Sequence, residues 1–323
     1  PEVSAQLTAI AEACLTATVL QVARQLEPRH GRPDAGLVVL GLGSLGAREL
    51  RYGSDLDLVF LFSDPGTTAA GTDHQEWFAR LAQRVINALG ARLDEGSLYE
   101  VDTRLRPSGA QGLLVTSFAA FARYHEQDAA LWERVALLRA RPVCEIDFGA
   151  TGRAAAIAPL LERAAYAGPV DEAALRDELV HMRARMESER VGPGELHLRF
   201  SPGGLADIEF LVAHEQLALP APPGETPPWR SPVPGDALLA LLAGGRIGEP
   251  ALSDDQLFLQ TAALRLRLLR QGGDETTDDH LHAADLPPLA RSLGLTEAAL
   301  RAALTERMAR VRRVFTRVVG ERR

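Results

Sequence analysis

"LVVLGLGSLGARELRYGSDLDLVFLF", Leu37 to Phe62, carries two signatures that compete for one loop. Gly41-Leu42-Gly43-Ser44-Leu45-Gly46 fits the G-x-G-x-x-G of a dinucleotide-binding turn and follows an apolar run that reads as a strand over Leu37–Leu42. Asp55-Leu56-Asp57 then opens a second apolar strand through Phe62. A dinucleotide fold needs a full crossover helix and an acid about 20 residues beyond the glycines. Here the acids arrive nine and eleven residues after Gly46, and Leu45–Tyr52 has room for at most two helical turns. The dinucleotide reading therefore falls away.

The aspartates account for more. Carboxylates at i and i+2 of a strand project from one face. Flanked by Leu56, Leu58, Val59 and Phe60, two neighbouring charges are costly without a cation. Mg²⁺ prefers oxygen ligands and, in nucleotidyl transfer, is shared between carboxylates and phosphates. Gly43 lets a backbone approach a phosphate, and Ser44 with the N–H groups opening the next helix can donate to it. A third carboxylate comes from "LYEVDTRLRPSG": Leu98–Leu105 alternates as a strand, placing Asp102, Arg104 and Arg106 on one face. Asp102 completes the expected metal cluster and accepts the nucleophile's proton, while Arg104 and Arg106 neutralise phosphate.

The remainder of the 323 residues supplies two bodies. The front, residues 1–150, mixes these strands with helices expected over 4–26, from an Asp73 cap through Ala88, and over Phe118–Leu138. Beyond residue 151 no convincing strand occurs. Asp171–Arg190 and Thr296–Val318 carry helical apolar stripes, and a loop with seven prolines lies between Pro220 and Pro234. The expectation is an α+β chain: a catalytic domain with a small mixed sheet over 1–150, then an all-helical domain over 151–323. A net charge of −8 argues against general nucleic-acid binding. Two cysteines make no disulfide framework, and no run of about twenty apolar residues suggests a membrane span. The expected setting is cytoplasmic.

Leu42-Gly43-Ser44, ten residues, then Asp55-Leu56-Asp57-Leu58 resembles the defining motif of the DNA polymerase beta-like nucleotidyltransferases. The blocks "GLGSLGARELRYGSDLDLVFLF", "VDTRLRPSGAQGLLVTS", "WERVALLRARPV" and "SPGGLADIEFL" are similar, in order, to glutamine synthetase adenylyltransferases. That resemblance implies AMP transfer from ATP to a tyrosine of glutamine synthetase, Mg²⁺ as cofactor, and control by glutamine and a PII-type signal protein. It also implies the attaching direction, because Thr103 and Ser108 match the adenylylating half of the long enzymes, which hold two such units where this sequence holds one. Ser44, Arg134 and Arg199 depart from the family's usual Lys, His and Lys. The alternatives are the reverse, phosphorolytic removal of AMP; a non-catalytic module sensing ATP or an effector; and a PII uridylyltransferase, whose His-Asp phosphohydrolase motif this sequence lacks.

Further candidates are Glu133, Arg139, Asp207 and Glu209, the last two near the Gly203-Gly204 break. Arg141 is read as reaching phosphate or solvated. Asp278, Asp279, His280 and His282 look metal-like but read as loop residues. The arginines near the C-terminus, including Arg312, Arg313, Arg322 and Arg323, fit a helix end and solvent.

Overall fold

The computed structural model describes residues 2–94, 96–149, 151–168, 170–222, 225–270 and 279–320. They form two compact units, one of residues 2–50 and 54–168, the other of 51–53 and 170–320.

The first unit is the α+β body. Strands β1 (Gly36–Gly41), β2 (Leu56–Phe62), β5 (Val101–Asp102), β6 (Val115–Ser117) and β7 (Arg141–Asp147) form one mixed sheet, and β3 (Arg92–Leu93) pairs with β4 (Gly96–Ser97) in a separate hairpin. β1 lies antiparallel between β2 and β7, while β5 and β6 run parallel to β2 along its other edge. Leu37, Val39, Leu58, Phe60 and Phe62 lie in one apolar core with Leu15, Val19 and Leu26 of α1 (Glu2–His30) and Trp77, Phe78, Leu81 and Val85 of α3 (His74–Leu89). The intervening Val38, Leu40, Val59 and Leu61 are buried too, so β1 and, past Asp57, β2 are apolar on both faces, as strands covered on both sides must be.

Local chemistry sets the boundaries. Asp73 caps α3 by accepting from the backbone N–H groups of Gln75 and Glu76. The helix expected over 118–138 is two, α4 (Phe118–Gln127) and α5 (Leu131–Leu137), because Glu133 closes a new N-terminus at Ala130. α6 (Ile157–Tyr166) packs on both. α1 runs four residues past the expected end at 26 and includes Pro28. Contrary to the expectation of no long apolar segment, an 18-residue window of α1 reaches a mean hydropathy of 1.4; its Ala11–Leu15–Val19–Leu26 stripe is in the core.

The second unit contains α7 (Glu172–Arg190), α8 (Leu205–Ala218), α9 (Pro234–Ala243), α10 (Leu252–Leu269), α11 (Leu286–Ser292) and α12 (Glu297–Val318). Asp171 and Thr296 cap α7 and α12, and Leu300, Leu304 and Met308 join Leu259, Leu266 and Leu289 in its core. Among the described residues its only β pairing is one bridge, His197 with His280. Gln216 donates to the carbonyls of Trp229 and Ser231, pinning the proline loop to α8.

Candidate active site

The three glycines at the end of β1 have separate reasons for being glycine. A Cβ on Gly41 would strike Val143 and Leu45, and one on Gly46 would run into the carbonyl of Arg139. Gly43 has φ +52, and a Cβ there would collide with the Asp57 carboxylate. The loop is therefore shaped by the second aspartate. The Leu42 N–H also donates to the Asp57 carbonyl at 3.0 Å, and α2 (Gly43–Gly46) is a single turn starting over that carboxylate.

The sheet brings the acids together. Asp57 shares its side of β2 with Val59 and Leu61, opposite the residues that face α1 and α3. β5 enters parallel with Asp102 in register with Asp57, and parallel partners present side chains to one face. Carboxylate oxygens of Asp55, Asp57 and Asp102 lie within 4.8 Å of one another; Asp55 is exposed and the other two half-buried. This is an all-oxygen donor set of three negative charges, of the kind Mg²⁺ takes.

The arginines do not alternate along a strand as expected. β5 ends at Asp102, because its carboxylate accepts from the backbone N–H of Arg104, two residues on, at 2.8 Å and turns the chain. Arg104 folds back, its Nε and Nη2 on the two oxygens of Asp102 at 2.5–3.0 Å. This pairing holds the Asp102 carboxyl below the usual carboxylate range. Arg106 instead braces the following turn, donating to the carbonyls of Thr103, Ala110 and Gly112 and to the Thr103 hydroxyl. The Pro107-Ser108-Gly109 run, with Ser108 at φ 61, was the sequence signal for that turn.

Arg141 closes α2 from the other side, donating to the carbonyls of Leu45 and Gly46 and to Glu12. Arg139 is half-buried, its carbonyl against Gly46. Glu133 is buried with both oxygens engaged, one by the Tyr124 hydroxyl at 2.8 Å and one by the Ala130 N–H. In the helical unit, Asp207 is fully buried and accepts from Arg183, Arg312 and the Gly203 N–H. Glu209 pairs with Arg199 at 3.2 Å. Asp279 takes Arg51 and Arg267, His280 pairs with Glu195, and the His282 N–H donates to Asp285. Asp278, Arg322 and Arg323 lie outside the described residues. Arg183 went unnoticed in the sequence, although an arginine four residues after Leu179 on an apolar stripe marks a buried charge in need of a partner.

Residues 1–151 match the family model described as glutamate-ammonia ligase adenylyltransferase. Curated relatives named bifunctional glutamine synthetase adenylyltransferase/adenylyl-removing enzyme include one from Thioalkalivibrio sulfidiphilus, 43% identical over 67% of this chain and 24% of its own length. The chain belongs to the glutamine synthetase adenylyltransferase family. A relative of the same name from Pseudomonas aeruginosa is 40% identical over 67% of the chain and 24% of its own length. One from Xanthomonas campestris is 43% identical over 64% of the chain and 22% of its own length. The chain spans about a quarter of the length of these relatives. Residues 174–319 match a different model, described as PII-uridylyltransferase, so the two units resemble different family models.

Proposed function

We propose that this chain transfers AMP from ATP to a tyrosine hydroxyl of glutamine synthetase, with Mg²⁺ held by Asp55, Asp57 and Asp102. The observation that carries this reading is the convergence of three carboxylates beside a turn whose Gly43 leaves no room for a side chain. Bound there, Mg²⁺ would supply charge to offset the phosphates and the departing pyrophosphate. The backbone at Gly43 and Ser44 seats the triphosphate. Arg104, exposed at the edge of the cluster, is the side chain able to meet phosphate, whereas Arg106 is committed to its turn. Asp102 acts first as a ligand: with its pKa lowered by Arg104 it is a weak base until that arginine leaves.

The relatives' name covers attaching and removing AMP, and both directions call on the same carboxylates. Thr103 and Ser108 favour attachment. Glutamine and a PII-type protein are the proposed effectors, and the cytoplasm is the proposed setting. The experiment is to offer the chain α-labelled ATP, Mg²⁺ and unmodified glutamine synthetase. Label on the synthetase, lost with Asp57→Asn, supports the reading. No label, with ADP released from adenylylated synthetase and phosphate, reverses the direction.

A further inference from the structure

We propose that Arg104 is a removable counter-ion for Asp102 that competes with the divalent cation and is displaced when the cation and the nucleotide's phosphates arrive together. This rests on the reading of the acidic triad as a cation site. Asp102 receives Nε on both oxygens, at 3.0 Å on Oδ1 and 2.8 Å on Oδ2, and Nη2 on Oδ2 at 2.5 Å. A fork on both oxygens takes up lone pairs and offsets the carboxylate's charge, so a metal at Asp102 competes with it.

Arg104 is built to open. Its side chain is 80% exposed and, among the described residues, its guanidinium is bonded to Asp102 alone. Two positions on, Arg106 has four acceptors within the turn and cannot leave without dismantling it. In the helical unit Arg183 is 1% exposed and fixed by Asp207 and two carbonyls. An exposed pair held at one end gains little over its solvated partners, so opening is easy. The Asx turn remains when the fork opens, because the backbone N–H of Arg104 reaches Asp102 independently of the side chain. The guanidinium's charge is also favoured, more weakly, by Asp57 and Asp55. A phosphate oxygen then offers it a bidentate partner in exchange for the carboxylate. Cation and nucleotide each favour the released arginine, and their binding is therefore coupled.

Mn²⁺ titration of the full chain, read by the electron-spin resonance of free ion, tests this without turnover. Wild type, Arg104→Gln, Arg104→Lys and Asp57→Asn are compared with and without α,β-methylene-ATP. Without nucleotide, Arg104→Gln should bind Mn²⁺ about threefold more tightly than wild type. Arg104→Lys, which keeps the charge but loses the fork, should tighten binding as well. The analogue should then tighten Mn²⁺ binding in wild type more than in Arg104→Gln. Equal or weaker Mn²⁺ binding by Arg104→Gln overturns the proposal while leaving the cation site intact. So does a lysine variant identical to wild type, which would assign the effect to charge alone. Saturable binding that survives in Asp57→Asn, or is absent from every protein, overturns the cation site and the proposal together. Thermal melting should be nearly unchanged in both arginine variants, since the Arg104 side chain is 80% exposed.

Discussion

The two units treat their aspartates in opposite ways. In the helical unit, Asp207, Asp255 and Asp279 are each at most 2% exposed, and each holds two arginines: Arg183 and Arg312, Arg307 and Arg310, Arg51 and Arg267. In the α+β unit, three carboxylates crowd within 4.8 Å, and the cation forked on one of them, Asp102, is the exposed Arg104. Buried acids with a surplus of arginine hold the helical unit together. Three carboxylates gathered at one loop, with Asp55 exposed, suit a ligand that brings positive charge. Burial among arginines, rather than the presence of acids, separates framework from site.

The sharpest way to break this contrast is Asp207→Asn. Removing one partner of a buried pair leaves Arg183 charged in the core, at a cost of about 3–5 kcal/mol. Denaturant unfolding should show that loss, while AMP transfer per folded molecule stays near wild type. Reduced transfer with unchanged stability would instead move Asp207 into the site.

Asp57→Asn is the mirror image. Transfer of labelled AMP should fall by about 10²-fold or more, with little change in the unfolding midpoint. An active Asp57→Asn enzyme would mean that the cluster is a charged surface feature.

Gly46→Ala asks whether the loop beside the triad is held by packing. The added methyl meets the Arg139 carbonyl, and overpacking of this kind should cost about 1–3 kcal/mol by thermal unfolding. Gly248→Ala, where φ is likewise not positive and nothing lies within 4 Å, is the control without the clash.

The smallest effect concerns acid. The His125 ring packs tilted against Phe121 with centroids 4.5 Å apart, its buried Nδ1 lacks a hydrogen-bond partner among the described residues, and burial pushes its pKa down to about 4. A depressed folded-state pKa favours the neutral ring, so its contribution is present above the unfolded value near 6.5. It is lost as pH falls from there toward 4. With partial exposure discounted, the loss should stay under about 2 kcal/mol. Melting temperatures of His125→Leu should decline less than those of wild type over that window.

Much of this was legible in the chain itself. Apolar runs bounded by glycine marked β1 and β2, Asp73 announced α3, and 3.6-residue stripes marked α7 and α12, because burial imposes its period on composition. The short spacing from Gly46 to Asp55 was enough to dismiss a dinucleotide site. The roles of Arg104 and Arg106 were not legible: alternation suggests a strand, but a carboxylate that bonds the N–H two residues on ends one. Glu133 and Asp207 carried family-motif wording, yet only the fold shows that one closes a helix and the other neutralises Arg183.

The sequence by itself determined which residue types are present and how local periodicity and caps divide the chain into strands and helices. These depend on near neighbours, through side-chain period and hydrogen bonds a few residues apart. Only the tertiary structure decided that β5 pairs parallel to β2 with Asp102 opposite Asp57, that Gly43 is kept bare by that same Asp57, and which arginine faces which acid. Most of those pairings join residues far apart in the chain, up to 228 positions for Arg51 and Asp279. A charge pair depends on distance and burial, and neither is a property of the order of residues along the chain.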